Sequence, residues 1–130
     1  MKPLGAGPSM EEYLHRFGHF VWEVRDENGP IRDDRELLRL ARLAREHITL
    51  GNRSQGYCTA ICIPLATYLT KRGMEAQEVN GGVGDWQHMW IALGDGRILD
   101  PTADQFNRAG TVRMPAIYLG PRPAHYECPQ

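Results

Sequence analysis

Residues 86–100, "WQHMWIALGDGRILD", decide how this chain folds. Eight residues rich in aromatic and branched side chains read as a strand, "GDG" as a turn, and "RILD" as a strand returning beside the first. Side chains alternate across a strand, so His88, Trp90 and Ala92 share one face and Met89, Ile91 and Leu93 the other. The length of the turn then fixes which face Asp100 joins. A two-residue turn at Asp95-Gly96 pairs Ile91 with Asp100 and aims the carboxylate away from His88. A three-residue loop, Gly94-Asp95-Gly96, pairs Trp90 with Asp100 and puts the carboxylate on the histidine's face, one diagonal step away. Gly96 stands where such a loop needs a left-handed residue. The sequence therefore permits a His88–Asp100 pair.

Working outward, "EAQEVNG" (75–81) reads as a strand before this hairpin and "PAIYLG" (115–120) as one after it, while the proline-rich tail 121–130 reads as irregular. Upstream the period changes to that of helices. Ser9 followed by Glu12 is a capping-box pattern ahead of Tyr13, Leu14, Phe17, Val21 and Val24, which predicts a helix over 10–24. Asp33 or Asp34 can cap a second helix with Leu37, Leu38, Ala41, Ala44 and Ile48 inward, ending at Gly51. Arg35, Arg39, Arg42 and Arg45 lie on its other side and read as a solvated face. "GYCTAICIPLATYLTKRG" (56–73) predicts a third helix starting near Cys58, with Ile61, Cys62, Leu65, Ala66 and Leu69 inward and Gly73 as its stop. Pro64 inside it predicts a kink or a late start, since an interior proline costs about 3 kcal/mol. Helices followed by a mostly antiparallel sheet make an α+β fold, here one domain over 1–130 with a helical part (1–53), a core (54–120) and the irregular tail.

At 130 residues the chain is long enough to bury a core without disulfide staples. Its three cysteines form no framework and favour a reducing compartment. A formal charge of −1 removes the electrostatic case for nucleic acid, and no apolar run approaches a membrane span. The start lacks the apolar segment of a secretory signal, so the expected location is cytoplasmic, with export as an effector left open.

Three side chains fall at positions with a chemical reason: Cys58 at a helix start, His88 in a strand and Asp100 at the end of the next. Unpaired N–H groups at a helix start lower a thiol pKa. A histidine nearby can hold the thiolate as an ion pair and protonate a leaving amine. An acid on the far side of the imidazole fixes its tautomer and orientation. Gln55 is the side-chain candidate for an oxyanion hole together with the Cys58 N–H. Asp104 is a poorer alternative to Asp100, and Trp86 and Trp90 are weak candidates for substrate contacts. His15, His19, His47 and His125 read as surface or helix residues.

"GYCTAICIPLATYLTKRG", "HMWIAL" and "GRILDPTADQF" together resemble the cysteine–histidine–aspartate core of the transglutaminase-like branch of the papain-like superfamily, over roughly residues 54–106. "LDPTADQF" with a later "IYLG" also looks like small bacterial proteins of this type. The resemblance implies a cysteine-bearing helix packed on an antiparallel sheet, with Cys58 as nucleophile, His88 as base and Asp100 as orienting acid. It implies acyl transfer through a thioester with no cofactor, on a peptide or protein substrate bearing an amide or glutamine side chain. Peptidase, deamidase and transglutaminase remain open at this point.

Two other classes compete. Cys58 and Cys62 with His88 and either Cys128 or His125 make a loose zinc set. A non-catalytic binding or immunity-type module on the same fold would leave Cys58 an ordinary thiol. Cys62, on the apolar stripe, reads as a small buried hydrophobe.

Overall fold

The computed structural model describes residues 8–109 and 113–128. Three helices precede a curled five-stranded antiparallel sheet, so the fold is α+β. What the sequence suggests for the first seven residues and for residues 129–130 lies outside the described residues.

The helices begin where the caps predict. Ser9 Oγ accepts the Glu12 N–H at 3.1 Å and opens α1 (Met10–Glu23). Asp33 Oδ1 accepts the Glu36 N–H at 2.9 Å and opens α2 (Asp34–Thr49), which closes on Leu50 and Gly51, both in the left-handed region. α3 (Cys58–Lys71) starts at the cysteine. It runs through Pro64 as one helix from Cys58, so the late start that the proline allowed is absent. The ring removes one N–H from the ladder, and burial of Ile61, Cys62, Leu65, Ala66 and Leu69 offsets that loss.

The inward face of α1 differs from expectation. Phe20 and Val24 are buried with Tyr13 and Phe17 against them, whereas Leu14 is 59% exposed and Val21 41%. In α2 Leu40 is buried where Leu38 was expected to be, and Leu38 is half-buried.

The strands are β1 (Ala76–Val83), β2 (Trp86–Leu93), β3 (Ile98–Asp100), β4 (Tyr118–Gly120) and β5 (Tyr126–Glu127), in the order β4-β3-β2-β1-β5. β2 and β3 pair Ile91 with Leu99 and Ala92 with Ile98, and the Leu93 N–H donates to Arg97 O at 2.9 Å. The connection is therefore the three-residue loop 94–96, with Gly96 at φ +91, and the same register carries Trp90 opposite Asp100. Alternation along β2 separates two cores. Met89, Ile91 and Leu93 pack on the helices, and Trp90 joins Ile98 and Tyr126 on the other face.

The tail is not wholly irregular. Tyr126 and Glu127 pair with Val83 and Gly82 of β1, because the apolar inside of the curled sheet takes up the Tyr126 ring. A 3-10 helix, η1 (Ala103–Ala109), which the strand and helix periods do not announce, follows β3.

Candidate active site

The site is built from the hairpin outward. His88 and Asp100, 1% and 0% exposed, face each other inside the curl, with Nε2 of the histidine 2.5 Å from Asp100 Oδ2. A buried carboxylate needs donors on its remaining lone pairs. The Thr102 N–H reaches Oδ1 at 2.9 Å, the Thr102 hydroxyl lies at 3.4 Å, and the Tyr126 hydroxyl donates to Oδ2 at 2.5 Å. Pro101 turns the chain straight out of β3, so Thr102 can fold its N–H back onto the acid two residues earlier. The imidazole is walled edge-on by Phe106 and Tyr126 and flanked by Trp90.

Cys58 is the first residue of α3 and is half-buried. Tyr57 before it makes no side-chain cap, so the N–H groups of the first turn stay open. Burial is the largest single influence on the Cys58 thiol and raises its pKa. A hydrogen bond with His88, the Met89 N–H and the charge on His88 together bring it below its ordinary value. Burial likewise is the largest influence on His88 and lowers its pKa, but the bond to Asp100, the bond with Cys58 and both negative charges push it up to about 9. These opposite displacements favour a thiolate beside an imidazolium. Cys62, one turn along, behaves differently: burial pushes its thiol well up, and it donates to Met89 O at 3.5 Å.

The other sequence candidates separate. Trp90 is 1% exposed and sits over Gly81, where an added Cβ would lie 2.3 Å from the indole; it is core, not a substrate contact. Trp86 is 60% exposed and lies beside Phe106 on a cavity of about 380 Å³ that Asp85, Asn107 and Tyr126 also line. Gln55 is exposed in the turn before α3. Asp104 is taken up elsewhere. Both its oxygens bond Arg45 at 2.9 Å, and Ser54 Oγ donates to Oδ1 at 2.6 Å. Arg45 also reaches Pro101 O and Ala116 O, which corrects the reading of that arginine as solvated. The cluster ties α2, the turn before Cys58 and the segment after Asp100 together.

Sequence reasoning missed Thr102, Gln105 and Tyr126. Thr102 and Gln105 lie inside "LDPTADQF", which stood out as a motif without assigning them work. Tyr126 had no signal, being 26 residues from the acid it bonds. Among the described residues no three or more His, Cys, Asp or Glu side chains gather to hold a metal, so the zinc set does not assemble there. No helix among them is long and apolar enough to cross a membrane.

No protein-family model matches the chain, and comparisons with curated proteins and with solved structures find no match to either.

Proposed function

We infer that this protein is a thiol-dependent hydrolase of amide bonds, with Cys58 as nucleophile, His88 as acid and base, and Asp100 as the group that orients the imidazole. The observation that carries this reading is the buried His88–Asp100 pair beside a thiol at a helix start whose pKa is lowered. The transglutaminase-like resemblance of residues 54–106 points the same way.

In this reading Cys58 Sγ attacks an amide carbonyl carbon. The C–N bond breaks as the His88 imidazolium gives its proton to the departing nitrogen, leaving a thioester on Cys58 and a neutral ring. His88 then takes a proton from water, whose oxygen attacks the thioester, and Cys58 leaves as thiolate. The Cys58 N–H and its open first-turn neighbours are the donors for the oxyanion, with Gln55 as a side-chain donor once substrate orders it. The substrate is a peptide or a protein glutamine side chain, and the free cysteines fit work in a reducing compartment such as the cytoplasm.

The test is the pH dependence of Cys58 alkylation by iodoacetamide, read by mass spectrometry of the Cys58 peptide. The expected result is an apparent pKa below the reference of about 8.5 that rises in His88→Ala and stays in Cys62→Ser. A thiol that titrates at the reference value with or without His88 overturns the reading and leaves a non-catalytic module on this fold.

A further inference from the structure

Besides its interaction with Cys58, each ring nitrogen of His88 has a short-range hydrogen-bond partner. Nε2 lies on Asp100 at 2.5 Å, and Nδ1, the nitrogen left to serve Cys58, lies 2.6 Å from Gln105 Nε2. Gln105 is 6% exposed, and its other amide atom, Oε1, is buried with no hydrogen-bond partner. A buried amide with one end on the proposed base and the other end unsatisfied calls for an explanation.

The two ends of a glutamine amide are nearly the same size and opposite in character, one a donor and one an acceptor. With the ring neutral, Nε2–H donates to Asp100, and the bare Nδ1 accepts from the Gln105 NH₂. With the ring charged, Nδ1 also carries a proton, and two donors cannot face each other at 2.6 Å. A half-turn about the terminal torsion of Gln105 then brings Oε1 onto Nδ1–H, and the orphaned oxygen finds its donor. The backbone need not move for this. Gln105 N–H is bonded to Thr102 O at 3.1 Å, Thr102 is bonded to Asp100, and Asp104 is clamped by Arg45 and Ser54. Motion is thereby confined to the side chain.

We propose that Gln105 is a positioning residue for His88, whose amide holds Nδ1 in both charge states by reversing end for end as the ring gains or loses its proton. The proposal rests on the hydrolase reading for its purpose. When the leaving amine takes the Nδ1 proton, the reversed amide keeps the neutral ring where the next water must meet it. It also gives Nδ1 an acceptor whenever Cys58 is acylated and cannot serve as one. The charged and titratable groups that face the ring are Cys58 on α3, Asp100 on β3 and Tyr126 on β5.

The experiment follows the His88 ring nitrogens by ¹⁵N NMR across pH in Cys58→Ala protein, so that its outcome does not depend on a working nucleophile. Gln105→Met keeps the volume and removes both hydrogen-bonding ends. The expected result is a protonation constant about threefold to tenfold lower, because the bond lost from the charged ring is stronger than the one lost from the neutral ring. Gln105→Glu supplies a fixed acceptor and is expected to move the constant the other way. A residue that merely fills space would leave the Gln105→Met titration unchanged, and that result overturns the proposal even if Gln105→Glu does not fold. The alkylation profile of the wild-type thiol is a separate readout, so failure of the hydrolase reading and failure of the Gln105 role are told apart.

Discussion

The Tyr126 hydroxyl donates to Asp100 Oδ2, the same oxygen that His88 Nε2 holds, each at 2.5 Å. The C-terminal strand thus supplies one of the donors that make a fully buried carboxylate tolerable.

Tyr126→Phe isolates that donor, since the ring and its packing on Trp90 stay. A hydrogen bond to a buried charged group contributes about 1.5–3 kcal/mol, so urea unfolding should show a loss of that order. Asp100 would also lean more fully on His88, and the histidine's titration should move upward. A stability within error of wild type would mean that Tyr126 is only packing.

His88 makes folding depend on pH with a definite sign. Its folded value of about 9 lies above the ordinary 6.5, so its stabilisation is fully present below 6.5 and is lost as pH rises through 9. At most this amounts to about 3 kcal/mol. Cys58, with a lowered pKa, contributes the opposite slope between its folded and ordinary values. Urea titrations in Cys58→Ala therefore read the histidine alone, reduced in size because one of the charges that raises it is gone. Stability should decline from pH 6.5 to 9 and the decline should vanish on adding His88→Gln. A rise over that interval would refute the pairing with Asp100.

Much of this site was legible because it depends on local rules. Strand alternation reduced the placing of Asp100 to the length of one turn, the glycine at position 96 permitted the length that puts it on the face of His88, and caps at Ser9 and Asp33 open two helices. The sequence lost its hold where partners are distant. Periodicity places Leu14 and Val21 on an apolar stripe, yet the stripe of α1 is wider than the face its neighbours cover. The arginine row of α2 looks uniform, and only the path of the chain after Asp100 singles out Arg45. Tyr126 lies in a stretch whose prolines argue for irregularity, and the two-residue pairing of β5 is too short to leave a period.

Arg45 gives a test of that distant clamp. Burial raises the Asp104 pKa, but the bonds from Arg45 and Ser54 and the charge on Arg45 hold its carboxyl below the usual carboxylate range. The pair is partly exposed, at 16% and 28%, so its contribution falls between a screened surface bridge and a buried one. Arg45→Met should cost about 2 kcal/mol in urea unfolding, and the loss should shrink as pH falls through the Asp104 value. Because the clamp also holds Pro101 and Ser54 on either side of the site, Cys58 alkylation should slow as well. An effect on stability with an unchanged alkylation rate would limit the clamp to folding.

Gly81→Ala separates the inner core from the helical one. A Cβ there would stand 2.3 Å from the Trp90 ring and 2.4 Å from Glu127 O, and the second of these is backbone that cannot swing aside. Trp90 must shift and β5 must lift from β1 together, and lifting β5 takes Tyr126 off Asp100. Overpacking of this kind costs about 1–3 kcal/mol, to which the lost hydrogen bond adds. The helical core of Ile61, Leu65 and Ile91 lies on the opposite face of the sheet and should keep its amide-exchange protection. Hydrogen exchange is therefore the measurement: protection lost at Tyr126 and β1 but kept in α2 and α3 is the expected pattern. Loss spread evenly over both cores would show that the curled sheet and the helices unfold as one unit and that Gly81 acts globally.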